Sequence, residues 1–138
     1  MESNKNISQQ NYSLKPLVLE ATDKTPFVRL DKDTHNFEFR GNMYPEDIRE
    51  FFRPILNWID LYIKNPSQKT YVDLQFEYLN SSSEKMVFYL IEKFQDLFDA
   101  GYEVIMRWYY ETDDEEMYEE GLEISEKVDI PFEFYEVE

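Results

Sequence analysis

The chain has 138 residues, with 14 Lys and Arg set against 30 Asp and Glu, for a formal net charge of −16 at pH 7. That length makes one domain, and a composition of 42% hydrophobic and 17% aromatic residues supplies material for a core. The charge repels phosphate backbones and anionic lipid, so nucleic-acid and anionic-membrane binding are not expected; no apolar run approaches the length of a membrane span, so no membrane insertion is expected; and the lack of cysteine removes disulfides, thiol nucleophiles and Cys-type zinc sites.

Residues 1–13, MESNKNISQQNYS, are polar and read as a flexible N-terminal tail, with a single domain over 14–138. Their lack of a basic and apolar leader points to a cytoplasmic protein, which makes the NIS, NYS and NSS sequons chance matches. Leu17 to Glu20 and Phe27 to Asp31 read as short strands. Asn36 to Arg40 alternates Phe37 and Phe39 with polar neighbours, as a half-buried strand does; Asp33, Thr34 and His35 form the preceding hairpin loop, and Gly41 ends the strand. Pro45, Glu46 and Asp47 open a helix whose stripe is Ile48, Phe51, Phe52, Ile55, Ile59, Tyr62 and Ile63, with a kink expected at Pro54.

Thr70 to Tyr78 carries Val72, Leu74, Phe76 and Tyr78 at period two and runs into Asn80-Ser81-Ser82-Ser83-Glu84. A second helix buries Val87, Leu90, Ile91, Phe94, Leu97 and Phe98 and stops at Ala100-Gly101. Tyr102 to Tyr110, apolar on both faces, reads as a strand near the middle of a sheet. A cap pattern at Thr112 to Glu115, a short acidic helix around Met117 to Lys127 and a strand from Phe132 to Val137 complete the chain. Strands alternating with helices predict an α/β domain with a mixed, partly parallel sheet and helices packed on it.

Few residues carry chemistry. His35, the lone histidine, sits in a polar loop and reads as solvent-facing, which leaves no histidine triad or multi-histidine metal site. Asp113 to Glu116 lacks the spacing and glycine of an EF-hand loop and reads as a charged helix start. No catalytic residue, metal site or cofactor motif is found, and an enzyme using clustered carboxylates with a divalent cation is the weaker alternative. Trp58, Trp108, Tyr109 and Tyr110 exemplify aromatics expected mostly in the core, with a surplus for interfaces. Ser81 and Glu84 have capping-box spacing just before the second helix, at a strand end where α/β sheets place functional groups. Spacing alone leaves Ser81 either a helix cap or a phosphoacceptor.

The segments TPFVRL (25–30), RGNMYPED (40–47), FFRPILNW (51–58), DLQFEYLNSSSEK (73–85) and VIMRWYYETDDEEM (104–117) together resemble the SiaC family of bacterial regulatory phosphoproteins, whose fold is similar to STAS domains. The resemblance spans roughly Leu17 to Glu136. It implies a STAS-like, non-enzymatic switch in cyclic-di-GMP and biofilm signalling: a SiaB-type kinase phosphorylates the residue after the Asn of the YLN turn, a PP2C-like SiaA-type phosphatase reverses this, and the unmodified form activates a SiaD-type diguanylate cyclase. Carried over, the phosphoacceptor is Ser81, standing where the best-known form of the motif has threonine, and Asn80, Ser82, Ser83, Glu84 and Lys85 are the residues expected to meet a partner. The alternative is a constitutive interaction or antagonist domain in which Ser81 is only a cap.

Overall fold

A computed structural model of the chain describes residues 14–138, so the expected tail at 1–13 lies outside the described residues. Six strands, β1 (Leu17–Leu19), β2 (Phe27–Asp31), β3 (Asn36–Met43), β4 (Lys69–Leu79), β5 (Glu103–Glu111) and β6 (Phe132–Val137), lie side by side in chain order. β1, β2 and β3 pair antiparallel, β1 and β2 through a seven-residue loop and β2 and β3 through a four-residue turn. β3 to β6 pair parallel, each joined to the next through a helix: α1 (Ile48–Lys64), α2 (Ser81–Asp99) and α3 (Glu115–Lys127). Because the strand order never reverses, crossovers of one hand bring all three helices to the same face.

Burial follows from that arrangement. Val28, Leu30, Phe37, Phe39, Val72, Leu74, Phe76, Val104, Met106 and Trp108 point under the helices and are almost wholly buried. Their alternates Arg29, Glu38, Asp73 and Arg107 lie in one cross-strand row on the opposite, open face, where Arg107 pairs with Asp73. β5 therefore differs from expectation: it is second from the edge, and only one of its faces is covered. Ile105 is apolar on the open side, and this apolar run resembled a strand covered on both faces.

The helices follow their stripes. α1 buries Phe52, Ile55, Trp58, Ile59 and Tyr62, and continues through Pro54. It begins after Asp47, whose side chain caps the Glu50 amide at 3.1 Å, so Pro45 lies before the helix rather than at its first position. α2 ends where expected: the amides of Gly101 and Tyr102 bond the Phe98 and Leu97 carbonyls, a Schellman closure with Gly101 at φ +97°. α3 starts two residues earlier than expected and is capped by Asp114. Thr112 instead donates its hydroxyl to Glu136 and to the Val137 carbonyl, tying β5 to β6. α3 approaches the sheet closely because Gly121 has no side chain: a Cβ there would lie 2.6 Å from the Trp108 indole. Both tryptophans are core residues.

β3 does not stop at Gly41. The strand continues to Met43, with Gly41 at φ +126° and packed against Pro26, at a break in register. Gly41 faces Phe76 but Asn42 faces Tyr78, so β4 carries one extra residue, Glu77, in a bulge. The bulge reverses the alternation at the end of β4. Leu79 becomes buried, whereas Tyr78, placed by period two among the core residues, is 53% exposed.

Candidate functional site

The bulge delivers the chain to the start of α2. Asn80 is held by its amide to the Met43 carbonyl at 3.4 Å, and its side-chain oxygen accepts from the Ser83 amide at 2.9 Å. Asn80 is therefore the N-cap, and Ser81 is the first residue inside the helix. This corrects the capping-box reading. Both residue types cap well, but strand pairing extends to Leu79, and the next residue makes the turn from strand to helix. With Asn80 filling the N-cap, Ser81 makes no capping bond among the described residues, so capping does not account for it.

The three serines are not equivalent. Ser81 and Ser82 are exposed at the helix start. Ser83 is fully buried, and its hydroxyl has no hydrogen-bond partner among the described residues. A kinase or docked protein cannot reach Ser83 without opening the helix, so of the five residues expected to meet a partner only Asn80, Ser82, Glu84 and Lys85 are at least partly accessible.

One turn along α2, Glu84 borders a cleft of about 200 Å³ walled also by Glu77, Tyr78, Leu79, Asp114, Glu116, Met117 and Glu120. Five carboxylates from β4, α2 and the start of α3 thus converge beside the exposed serines. Burial, a hydrogen bond with Glu84 and the charges of Glu84 and Glu123 push the Glu120 carboxyl up to about 7, with Lys127 opposing. The sequence indicates the acidic run 113–116 but not its convergence with Glu77 and Glu84. Among the described residues, no group of three or more His, Cys, Asp or Glu side chains is placed to hold a metal ion. Tyr78 stands at the rim, its ring edge-on to Tyr44 at 5.5 Å. His35 is exposed in the β2–β3 turn, far along the sheet from Ser81.

Fold and site together define an α/β domain that presents a helix start, two exposed serines and an acidic cleft at one end of its sheet. Residues 19–137 match the family described as SiaC family regulatory phosphoprotein, and the chain belongs to that family. It is 27% identical over 116 residues to an uncharacterised protein of Pseudomonas aeruginosa, covering 84% of this chain and 92% of that one. The crystal structure of apo-SiaC from Pseudomonas aeruginosa superposes with a TM-score of 0.80 at 26% identity, covering 88% of this chain and 98% of that one. A chain in the structure of the diguanylate cyclase SiaD with its activator SiaC, from the same organism, gives a TM-score of 0.83 at 26% identity, covering 88% and 99%.

Proposed function

We propose that this protein is a cytoplasmic, non-enzymatic switch that activates a diguanylate cyclase when Ser81 is unmodified and releases it when Ser81 is phosphorylated. A SiaB-type kinase adds the phosphate and a PP2C-like, SiaA-type phosphatase removes it. The observation that carries this reading is the exposed Ser81 at the first position of α2, free of the capping role that Asn80 fills. Family membership and the SiaC bound to SiaD in the Pseudomonas complex support the partner class.

Charge explains the direction of switching. A phosphate adds about −1.5 to −2 charges. The α2 amides and dipole favour an anion there, so the modified helix is expected to remain folded. A partner that closes over Asn80, Ser82, Glu84 and Lys85 must then desolvate the phosphate next to the acidic cleft, and repulsion within a low-dielectric contact weakens binding.

The test is calorimetric titration of the cognate cyclase with unmodified protein, protein carrying phosphoserine at 81, Ser81→Ala and Ser81→Asp. The unmodified and Ala forms are expected to bind alike and to stimulate the cyclase. The two acidic forms are expected to lose at least about tenfold in affinity, or about 1.4 kcal/mol. Equal binding by phosphorylated and unmodified protein would overturn the proposal.

A further inference from the structure

At the opposite end of β4 from Ser81, the open sheet face forms a cleft of about 390 Å³ lined by His35, Ser67, Gln68, Lys69, Tyr71 and Arg107. The volume falls within the range of small-molecule sites. Its lining runs against the rest of the chain: the molecule has 30 acids for 14 Lys and Arg, yet no carboxylate lines this cleft, and two cations and the only imidazole do.

The nearby acids already have partners. Asp73 accepts from Arg107 Nε at 2.6 Å and Nη2 at 3.3 Å, and Glu103 accepts from the Tyr71 hydroxyl at 2.6 Å. The Arg107 guanidinium lies over the Tyr71 ring, 5.3 Å from its centre, so cation and ring stack at one wall of the cleft. Lys69, two residues before Tyr71 on β4 and opposite Glu103 on β5, forms no ion pair within 4.0 Å among the described residues. His35 is, among the described residues, the one non-glycine residue with positive φ, at 59°. Its amide closes the turn onto the Lys32 carbonyl at 3.2 Å. Glycine takes that backbone more readily, and non-glycine residues held in it cluster at binding sites.

We propose that this cleft binds a small aromatic carboxylate, with its ring against the Tyr71 and Arg107 wall and its carboxylate directed to Lys69 and His35. The stacked wall selects a planar body. A single unpaired lysine, opposite Glu103 and close to Asp73, matches one negative charge and disfavours phosphates and other polyanions. The site is independent of the Ser81 switch, since the eleven residues of β4 separate the two by about 30 Å.

The experiment is titration of the isotope-labelled full chain with 2-naphthoate, followed by two-dimensional NMR, with 2-naphthylmethanol as the neutral control. Saturable shifts centred on His35, Lys69, Tyr71 and Arg107 are expected, with a Kd below about 1 mM. Lys69→Gln, a change at an exposed position, is expected to weaken binding at least about tenfold while leaving shifts elsewhere unchanged. The proposal is overturned if no saturable shifts appear at these residues, if the alcohol binds as tightly as the carboxylate, or if Lys69→Gln retains full affinity.

Discussion

The position of the α2 cap makes a sharp prediction at the centre of the switch. Replacing Asn80 with Ala removes the 2.9 Å bond to the Ser83 amide and leaves that donor, at the mouth of a buried residue, without its partner. The expected cost is about 1 kcal/mol, within the range of about 0.5–2 measured for N-cap losses. For a domain of this length that corresponds to a fall in Tm of about 3–5 °C, or about 0.5 M in the urea midpoint. Ser81→Ala removes an exposed hydroxyl with no capping bond and replaces serine with a better helix former, so it is expected to change stability by less than about 0.5 kcal/mol. Urea denaturation of both variants, followed by circular dichroism, compares them directly. A Ser81→Ala loss equal to that of Asn80→Ala would return the cap to Ser81 and refute the assignment. The same measurement decides whether Ser81→Ala isolates phosphorylation from stability.

Gly121→Ala sets helix propensity against packing: alanine favours a helix by about 1 kcal/mol, but its Cβ would lie 2.6 Å from the Trp108 indole, whose Nε1 donates to the Met117 carbonyl. The clash is expected to win, with a net loss of about 1–3 kcal/mol in a thermal melt, and a stabilised variant would show that α3 shifts freely. Glu120 makes stability fall as pH rises from acid to neutral. Its carboxyl is raised from 4.5 to about 7, so between those values the native state keeps a proton that the unfolded chain has lost. Stability from this group is therefore full below about pH 4.5 and declines as pH rises through 7. A rise of that size corresponds to about 3 kcal/mol before solvent screening, which in this partly open cleft leaves about 1. Glu120→Gln is expected to remove that decline, read as the difference between wild-type and variant stability at pH 5 and pH 8; parallel profiles would exclude the shared proton.

Much of the architecture is legible in the chain because it rests on neighbouring residues. The periodicity of Val87, Leu90, Ile91, Phe94 and Leu97, the glycine after α2 and the alternation of Phe37 with Phe39 act within a few residues, and the corresponding elements appear as read. Strand and helix alternation likewise carries the mixed sheet, since short connections leave little choice of pairing. The YLNSSSEK turn also draws attention from sequence, through its position between strand and helix.

What only the tertiary structure decides are the features in which distant segments compete. Gly41 terminates an isolated strand pattern, yet pairing with β4 carries β3 on to Met43, and the mismatch is absorbed by a bulge at Glu77. That one extra residue turns Tyr78 to solvent and buries Leu79, and Asn80 rather than Ser81 caps the helix that follows. The acidic cleft also depends on tertiary structure, since Glu120 is distant in sequence from Glu77 and Glu84 and meets them where α3 returns to the sheet. Local preference selects among conformations separated by about 1 kcal/mol, whereas burying one residue such as Leu79 contributes about 2 kcal/mol, so where the two disagree the packing of the whole sheet sets the register.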